Sequence, residues 1–398
     1  MPVIINLIGI FVFIAVAVLF SKDRRKINKR TVAILFALNI FIAWFLTSFP
    51  IGRELIIAAA AAFTAIINVS FEGIAFALPN WVNAPQMNFI TAALLPLLMI
   101  VPLFDILTYL GIFPFIIKWI GKALSYLTRA PKFESFYAIE MMFLGNSDAV
   151  AVSSIQLQKI SPERCLIIAM MSMNCVSASL IGAYIQMMPA EFILTAIPLN
   201  IINALLIAHI LQPTNVPPEE DIVASLEGSK DKQPFFIFLS RSILNAGKLI
   251  FIITCMVITF VSLAKLINKV LILINPAVSL ESILGLIMFP FAWLMGLGID
   301  EAFQLAEFMG TKLITNEIVV MAQVQPLIST FSLHMQCVLT VFVTSFANFS
   351  TVGILLGIFS GIVDDNKNQL LSKNVKYMVL SGIIVSLLSA GMAGLFSW

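Results

Sequence analysis

Apolar blocks of about 20 residues, each long enough to cross a bilayer, constrain this chain more than any other feature. They fall at residues 3–20, 31–49, 89–110, 165–187, 191–211, 236–264, 331–361 and 378–396, with short charged loops between many of them. Hydrophobic residues make up 60% of the chain and charged residues 11%. A soluble enzyme with a large core needs far more surface charge, so the blocks imply a polytopic membrane protein. The first block lacks a preceding basic region and a small-residue cleavage site, and Lys22-Asp23-Arg24-Arg25-Lys26 follows it at once. It is therefore expected to be a retained span. The basic loop belongs on the cytoplasmic side, and eight crossings then put both termini outside a bacterial inner membrane.

Several function classes drop out. Net charge is +2, and no basic cluster stands beside aromatics, so no nucleic-acid partner is implied. Cys165, Cys175, Cys255 and Cys337 are scattered without paired spacing, which gives neither a disulfide framework nor a metal site. No nucleotide-binding glycine pattern follows a strand and no nucleophile stands at a recognisable spacing from a base. The chain reads as a non-enzyme, with no cofactor. A solute channel is the main alternative to a carrier, because polar hairpins also line pores.

Against this apolar background two polar stretches need a reason, since an ionised carboxylate in hydrocarbon is expensive. One is Asn146-Ser147-Asp148 and the other Asn316-Glu317. Asn174-Cys175-Val176-Ser177-Ala178-Ser179 follows the first, and Asn348-Phe349-Ser350-Thr351 the second, each inside a long apolar helix. An acid-bearing segment followed by an interrupted helix, occurring twice, is the pattern of a transporter whose repeats meet at the membrane midplane. Residues 133–158 lie between the basic flanks Lys132 and Lys159, which favours a re-entrant hairpin of two short arms over one tilted span. Residues 300–326 form the second hairpin.

The expected fold is an all-α membrane protein with eight transmembrane helices and two re-entrant hairpins in inverted repeats. Residues 1–111 are scaffold helices with an outer interfacial segment at 50–88, and 112–211 the first transport repeat. Residues 212–269 are a flexible cytoplasmic loop and a scaffold helix, and 270–398 the second transport repeat. Glu134 and Glu140 are expected to face the aqueous side of the first hairpin. Lys312 either orients the second tip or snorkels to water. His209 and His334 are read as interfacial or capping groups.

These motifs resemble the bacterial concentrative nucleoside transporters. The resemblance rests on Glu72-Gly73-Ile74-Ala75-Phe76, Tyr109-Leu110-Gly111-Ile112, Glu134-Ser135 and Phe143-Leu144-Gly145. It continues through Gly310-Thr311-Lys312-Leu313 with Asn316-Glu317 and through Phe346-Ala347-Asn348-Phe349-Ser350-Thr351-Val352-Gly353-Ile354. It implies a homotrimer in the lipid bilayer that imports nucleosides by cation symport with elevator-like alternating access. Matching the motifs sets Asn146, Ser147 and Asp148 against the base and part of the ribose. Glu317, Asn348 and Thr351 hold ribose hydroxyls, and Phe346 and Leu180 line the apolar side.

That assignment suits the ligand chemistry, because carboxylates accept strongly from hydroxyls and carboxamides both donate and accept. Where relatives carry Gln-Thr-Glu at the first tip, this chain has the shorter Asn146-Ser147-Asp148, which leaves room for a purine. At the positions of two oxygen ligands in sodium-coupled relatives stand Met141 and Cys175, poor partners for a hard cation. Proton coupling through Asp148 or Glu317 is therefore expected. The alternative is a Na+ symporter of pyrimidine or broad specificity, its ion held at the helix break by Asn174, Ser177 or Ser179. Asn316 is grouped with these coupling or helix-break residues.

Overall fold

A computed structural model describes residues 2–84, 87–174, 176, 178–217, 220–221, 233–275 and 278–398. Within these the chain is helical from end to end. α1 (Pro2–Leu19) and α2 (Lys29–Thr47) are followed by α3 (Pro50–Ala77), a short α4 (Pro79–Val82) and, after a π-turn, α5 (Leu97–Tyr109). α3 is one unbroken helix, long and apolar enough by length and composition to cross a membrane, where the sequence suggests a helix plus loop. Its run of alanines, the best helix formers, carries the helix through Asn68 and Glu72. Besides α3, six helices are long and apolar enough to cross, and with the two broken helices they match in number the eight expected crossings.

The first repeat opens with α6 (Ile112–Thr128) and α7 (Lys132–Phe143). α7 spans about 18 Å, well short of the ~30 Å hydrocarbon core. Gly145, with φ 82°, then turns the chain, a backbone conformation that favours glycine. α8 (Asn146–Val152) and α9 (Ser154–Lys159) return it. A broken helix follows, α10 (Pro162–Ser172) and α11 (Ala178–Ile185), then α12 (Ala190–Leu211), which is buried along nearly all its length.

The loop expected to join the halves lies mostly outside the described residues. α13 (Phe235–Ile274) is 40 residues, about 60 Å long, so it runs on past the span expected at 236–264 and takes in Lys265 and Lys269. Then the succession recurs. α14 (Leu280–Trp293) is the surface helix, and α15 (Ile299–Ile314) and α16 (Glu317–Val324) form the hairpin. α17 (Leu333–Val343) and α18 (Phe349–Ser360) are the broken helix, and α20 (Val375–Gly394) closes the repeat after a short α19 (Asp365–Lys373). α6 packs on α7 as α14 packs on α15, and α12 and α20 pack on each other.

Glu134 and Glu140 correct one expectation, since both are fully buried. Arg164 donates to Glu134 in a fork, Nε to Oε1 at 2.7 Å and Nη2 to Oε2 at 2.8 Å, and from Nη1 to the Glu220 carbonyl at 3.1 Å. Ser153 Oγ donates to Glu140 Oε2 at 2.7 Å. α7 is short and packed by α6, α12 and α10, so neither face reaches water and each carboxylate takes an internal donor.

The two breaks meet at Gly382 of α20. A Cβ placed there would stand 2.7 Å from the Ala347 Cβ in the second break and 3.6 Å from the Met173 Cβ in the first. Replacing Gly382 with valine should therefore wedge the breaks apart, at a cost of roughly 1–3 kcal/mol. Gly73→Ala, on an open helix face, should leave stability unchanged. Thermal unfolding of the detergent-solubilised protein checks both; equal melting of the two variants would contradict the close approach.

Candidate functional site

Breaking a helix inside a membrane frees backbone groups that no water satisfies, so each must find a protein partner. At the second break local backbone bonds, Ser345 N to the Val343 carbonyl and Asn348 N to the Phe346 carbonyl, both at 2.8 Å, are joined by polar side chains of the fold. Asn348 is the N-cap of α18, its Oδ1 accepting from Thr351 N at 2.9 Å, Thr351 Oγ1 at 3.0 Å and Ser350 Oγ at 2.6 Å. Its amide is then free to donate, Nδ2 to Glu317 Oε2 at 3.1 Å. Tyr184, from the broken helix of the other repeat, donates to Glu317 Oε1 at 3.1 Å. Glu317 and Asn348 are 3% and 2% exposed.

At the other end of the same break, Asn200 of α12 donates to the Thr344 carbonyl. Lys312 Nζ donates to the Phe342 carbonyl and to Ser345 Oγ, both at 2.6 Å, and to Ser386 Oγ at 3.3 Å. It is buried entirely, so it does not snorkel. The second hairpin tip is set by Asn316, whose Oδ1 accepts from Val319 N at 2.9 Å and starts α16 with Glu317 as its first residue.

Fewer polar contacts are described in the first repeat, where Cys175, Ser177 and the side chains of Ser147 and Ser179 lie outside the described residues. α8 packs on α18, which brings Asn146 and Asp148 to the element that Asn348 caps. Asn146 is half-buried with an Oδ1 that has no hydrogen-bond partner. Asp148 is exposed, contrary to the expectation of a carboxylate in a dry pocket, while its neighbours Ala149 and Val150 are buried. Asn174, at the first break, donates from Nδ2 to the Met170 carbonyl at 3.3 Å, and its buried Oδ1 has no partner. Leu180 is buried and Phe346 half-buried, in the same apolar core. Met141 is buried too.

The structure thus brings together Glu317, Asn348 and Thr351. It adds Tyr184, which sequence reasoning passed over. A lone tyrosine ten residues after Asn174 looks like interface packing, and only the two-repeat geometry points it at Glu317. The histidines, expected to be interfacial or capping groups, are both buried: His209 Nδ1 lies 2.8 Å from the Leu205 carbonyl, and His334 stacks on Trp398 with Nε2 2.9 Å from the Met295 carbonyl.

Comparison with known proteins places this arrangement. The family described as Na+ dependent nucleoside transporter C-terminus matches residues 192–394, and the corresponding N-terminus model matches residues 8–81. The chain belongs to the Na+ dependent nucleoside transporters. It is similar to purine nucleoside transport protein NupG of Bacillus subtilis, at 41% identity over 99% of each chain. Nucleoside permease NupC of Helicobacter pylori is 26% identical, over 98% of this chain and 97% of that one. A structure of CNTnw in an inward-facing substrate-bound state has the same fold, with a TM-score of 0.92 and 24% identity over 100% of this chain and 98% of that one. The protein is therefore an all-α, multi-spanning transporter with two re-entrant hairpins in inverted repeats, and not an enzyme.

One expectation falls here. Proton coupling, inferred from Met141 and Cys175, is overturned by a family defined by Na+ dependence. The physical reasons are also visible. Asp148 is exposed, Glu317 is already engaged by two donors, and carbonyls freed at a break can replace lost side-chain oxygens as ligands for a hard cation. Glu317→Gln and Asn348→Ala should each lower nucleoside uptake roughly 5- to 150-fold, the loss of one or two buried polar contacts. His334→Ala should change it little; equal uptake by the three variants in proteoliposomes would contradict the assignment.

Proposed function

We propose that this protein imports nucleosides, purine nucleosides among them, across a bacterial cell membrane by Na+ symport. The observation that carries the reading is the buried cluster of Glu317, Asn348 and Tyr184, drawn from both repeats, with α8 of the first hairpin packed on α18. Such a cluster suits a neutral ligand rich in hydroxyls. Glu317 accepts from ribose hydroxyls, and Asn348 and Thr351 position it and contribute further polar contacts. Asn146, Ser147 and Asp148 at the first tip meet the base, and Leu180 and Phe346 line the apolar side of the sugar and base. The purine preference draws support from the name of the Bacillus subtilis relative.

Sodium enters as a co-substrate. The buried, partnerless Oδ1 of Asn174 at the first break is an oxygen of the kind Na+ takes, beside backbone carbonyls freed at the end of α10. Substrate moves with the transport repeats, 112–211 and 270–398, against a scaffold of 1–111 and 212–269 in an elevator motion. Three copies assemble through their scaffolds, and both termini lie outside the cytoplasm.

Uptake of labelled adenosine into proteoliposomes tests this. An inward Na+ gradient without a pH gradient should drive accumulation, with inosine and guanosine competing better than uridine. Accumulation that needs no Na+ would overturn the coupling, and stronger competition by uridine would overturn the purine preference.

A further inference from the structure

Lys312 is the one fully buried lysine among the described residues, and nucleoside binding gives it no role. Its ammonium has three protons to donate and three acceptors around it, the Phe342 carbonyl, Ser345 Oγ and Ser386 Oγ. Its Nζ also lies 4.5 Å from the centre of the Phe342 ring, a cation-π distance. Ser345 and Ser386 are 2.7 Å apart, and Ser386 Oγ lies 2.9 Å from the Gly382 carbonyl, so the acceptors are themselves fixed. No carboxylate lies within ion-pair distance of Nζ among the described residues.

This is the surrounding of a bound cation, made of oxygens and one aromatic face. It sits where a helix end demands one. Phe342 is in the last turn of α17, whose free carbonyls carry the negative end of the helix dipole. The other end of the break, the positive start of α18, faces Glu317 through Asn348. One hairpin tip thus offers a cation to one end of the break and an anion to the other.

The repeats differ here. Lys312 stands five residues before Glu317, the first residue of α16, and the residue five before Asn146, the first residue of α8, is Met141. Among the described residues the last turn of α10 therefore has no chain-borne cation at the corresponding place, and Asn174 Oδ1 there is buried without a partner. We propose that the Lys312 ammonium is a tethered cation that permanently fills the ion position at the second helix break, leaving the first break for the exchangeable one. The part concerning the exchangeable ion rests on the Na+ reading above; the role of Lys312 does not.

Propylammonium tests it, because Lys312→Ala removes a propylammonium-sized group and leaves its acceptors. In detergent, without nucleoside, Lys312→Ala should melt roughly 5 °C or more below wild type, and propylammonium chloride should restore part of the loss. Wild type and Lys312→Met, in which a side chain fills the space, should not respond. Should Lys312→Ala prove polydisperse, purification with propylammonium present should recover a single species. Melting like wild type, or failure of propylammonium to help the alanine variant more than the methionine one, would overturn the proposal. These readouts need no transport, so a wild type that fails Na+-driven uptake would overturn the symport reading alone.

Discussion

The hydrogen bond from the Asn348 amide to Glu317 joins a re-entrant hairpin to a broken helix, and the rest of the site depends on it. A helix cannot be interrupted within a bilayer unless its freed backbone groups are satisfied. Asn348 does this for the start of α18 with its oxygen while its nitrogen remains available. Without that division of labour, Glu317 would be a buried carboxyl group with Tyr184 as its remaining side-chain donor among the described residues, which is a costly arrangement. The polar residues therefore hold the break open and present a carboxylate at once.

The same logic explains why two repeats are needed. Tyr184 comes from the broken helix of the first repeat and Glu317 from the hairpin of the second. α8 of the first hairpin packs on α18 of the second break. Gly382, lacking a side chain, lets Met173 and Ala347 of the two breaks approach the same spot. Neither repeat closes the polar cluster alone, so a displacement of one relative to the other alters the contacts a nucleoside would meet. That sensitivity suits a carrier better than a static pore.

Much of this was legible in the sequence, for definite reasons. The apolar blocks are set by bilayer thickness, and Asn316-Glu317 and Asn348-Phe349-Ser350-Thr351 stand out because polar groups are expensive in hydrocarbon. The first hairpin followed from the basic flanks Lys132 and Lys159, and the second from the recurrence of an acid-bearing segment before an interrupted helix. What sequence could not supply was burial within the bundle. Glu134 and Glu140 look like aqueous residues until α7 is seen enclosed by α6, α10 and α12. Asp148 looks buried in the sequence, yet its side chain on α8 is exposed. Coupling was misjudged because Met141 and Cys175 were weighed as side chains, while a break also exposes carbonyls, which no residue letter records. Tyr184 and Lys312 were missed or left open because their partners lie on other elements, 133 residues away for Tyr184 and 30 to 74 for Lys312.

The central claim is that a nucleoside binds at the junction of the second hairpin tip and the second helix break. A cryo-electron microscopy structure in lipid nanodiscs, with a purine nucleoside and Na+ present, tests it most directly. The account predicts ribose hydroxyls within hydrogen-bonding distance of Glu317 and Asn348, with the base towards Asn146. Nucleoside density away from those two side chains, with the Glu317–Asn348 contact intact and empty, would contradict it.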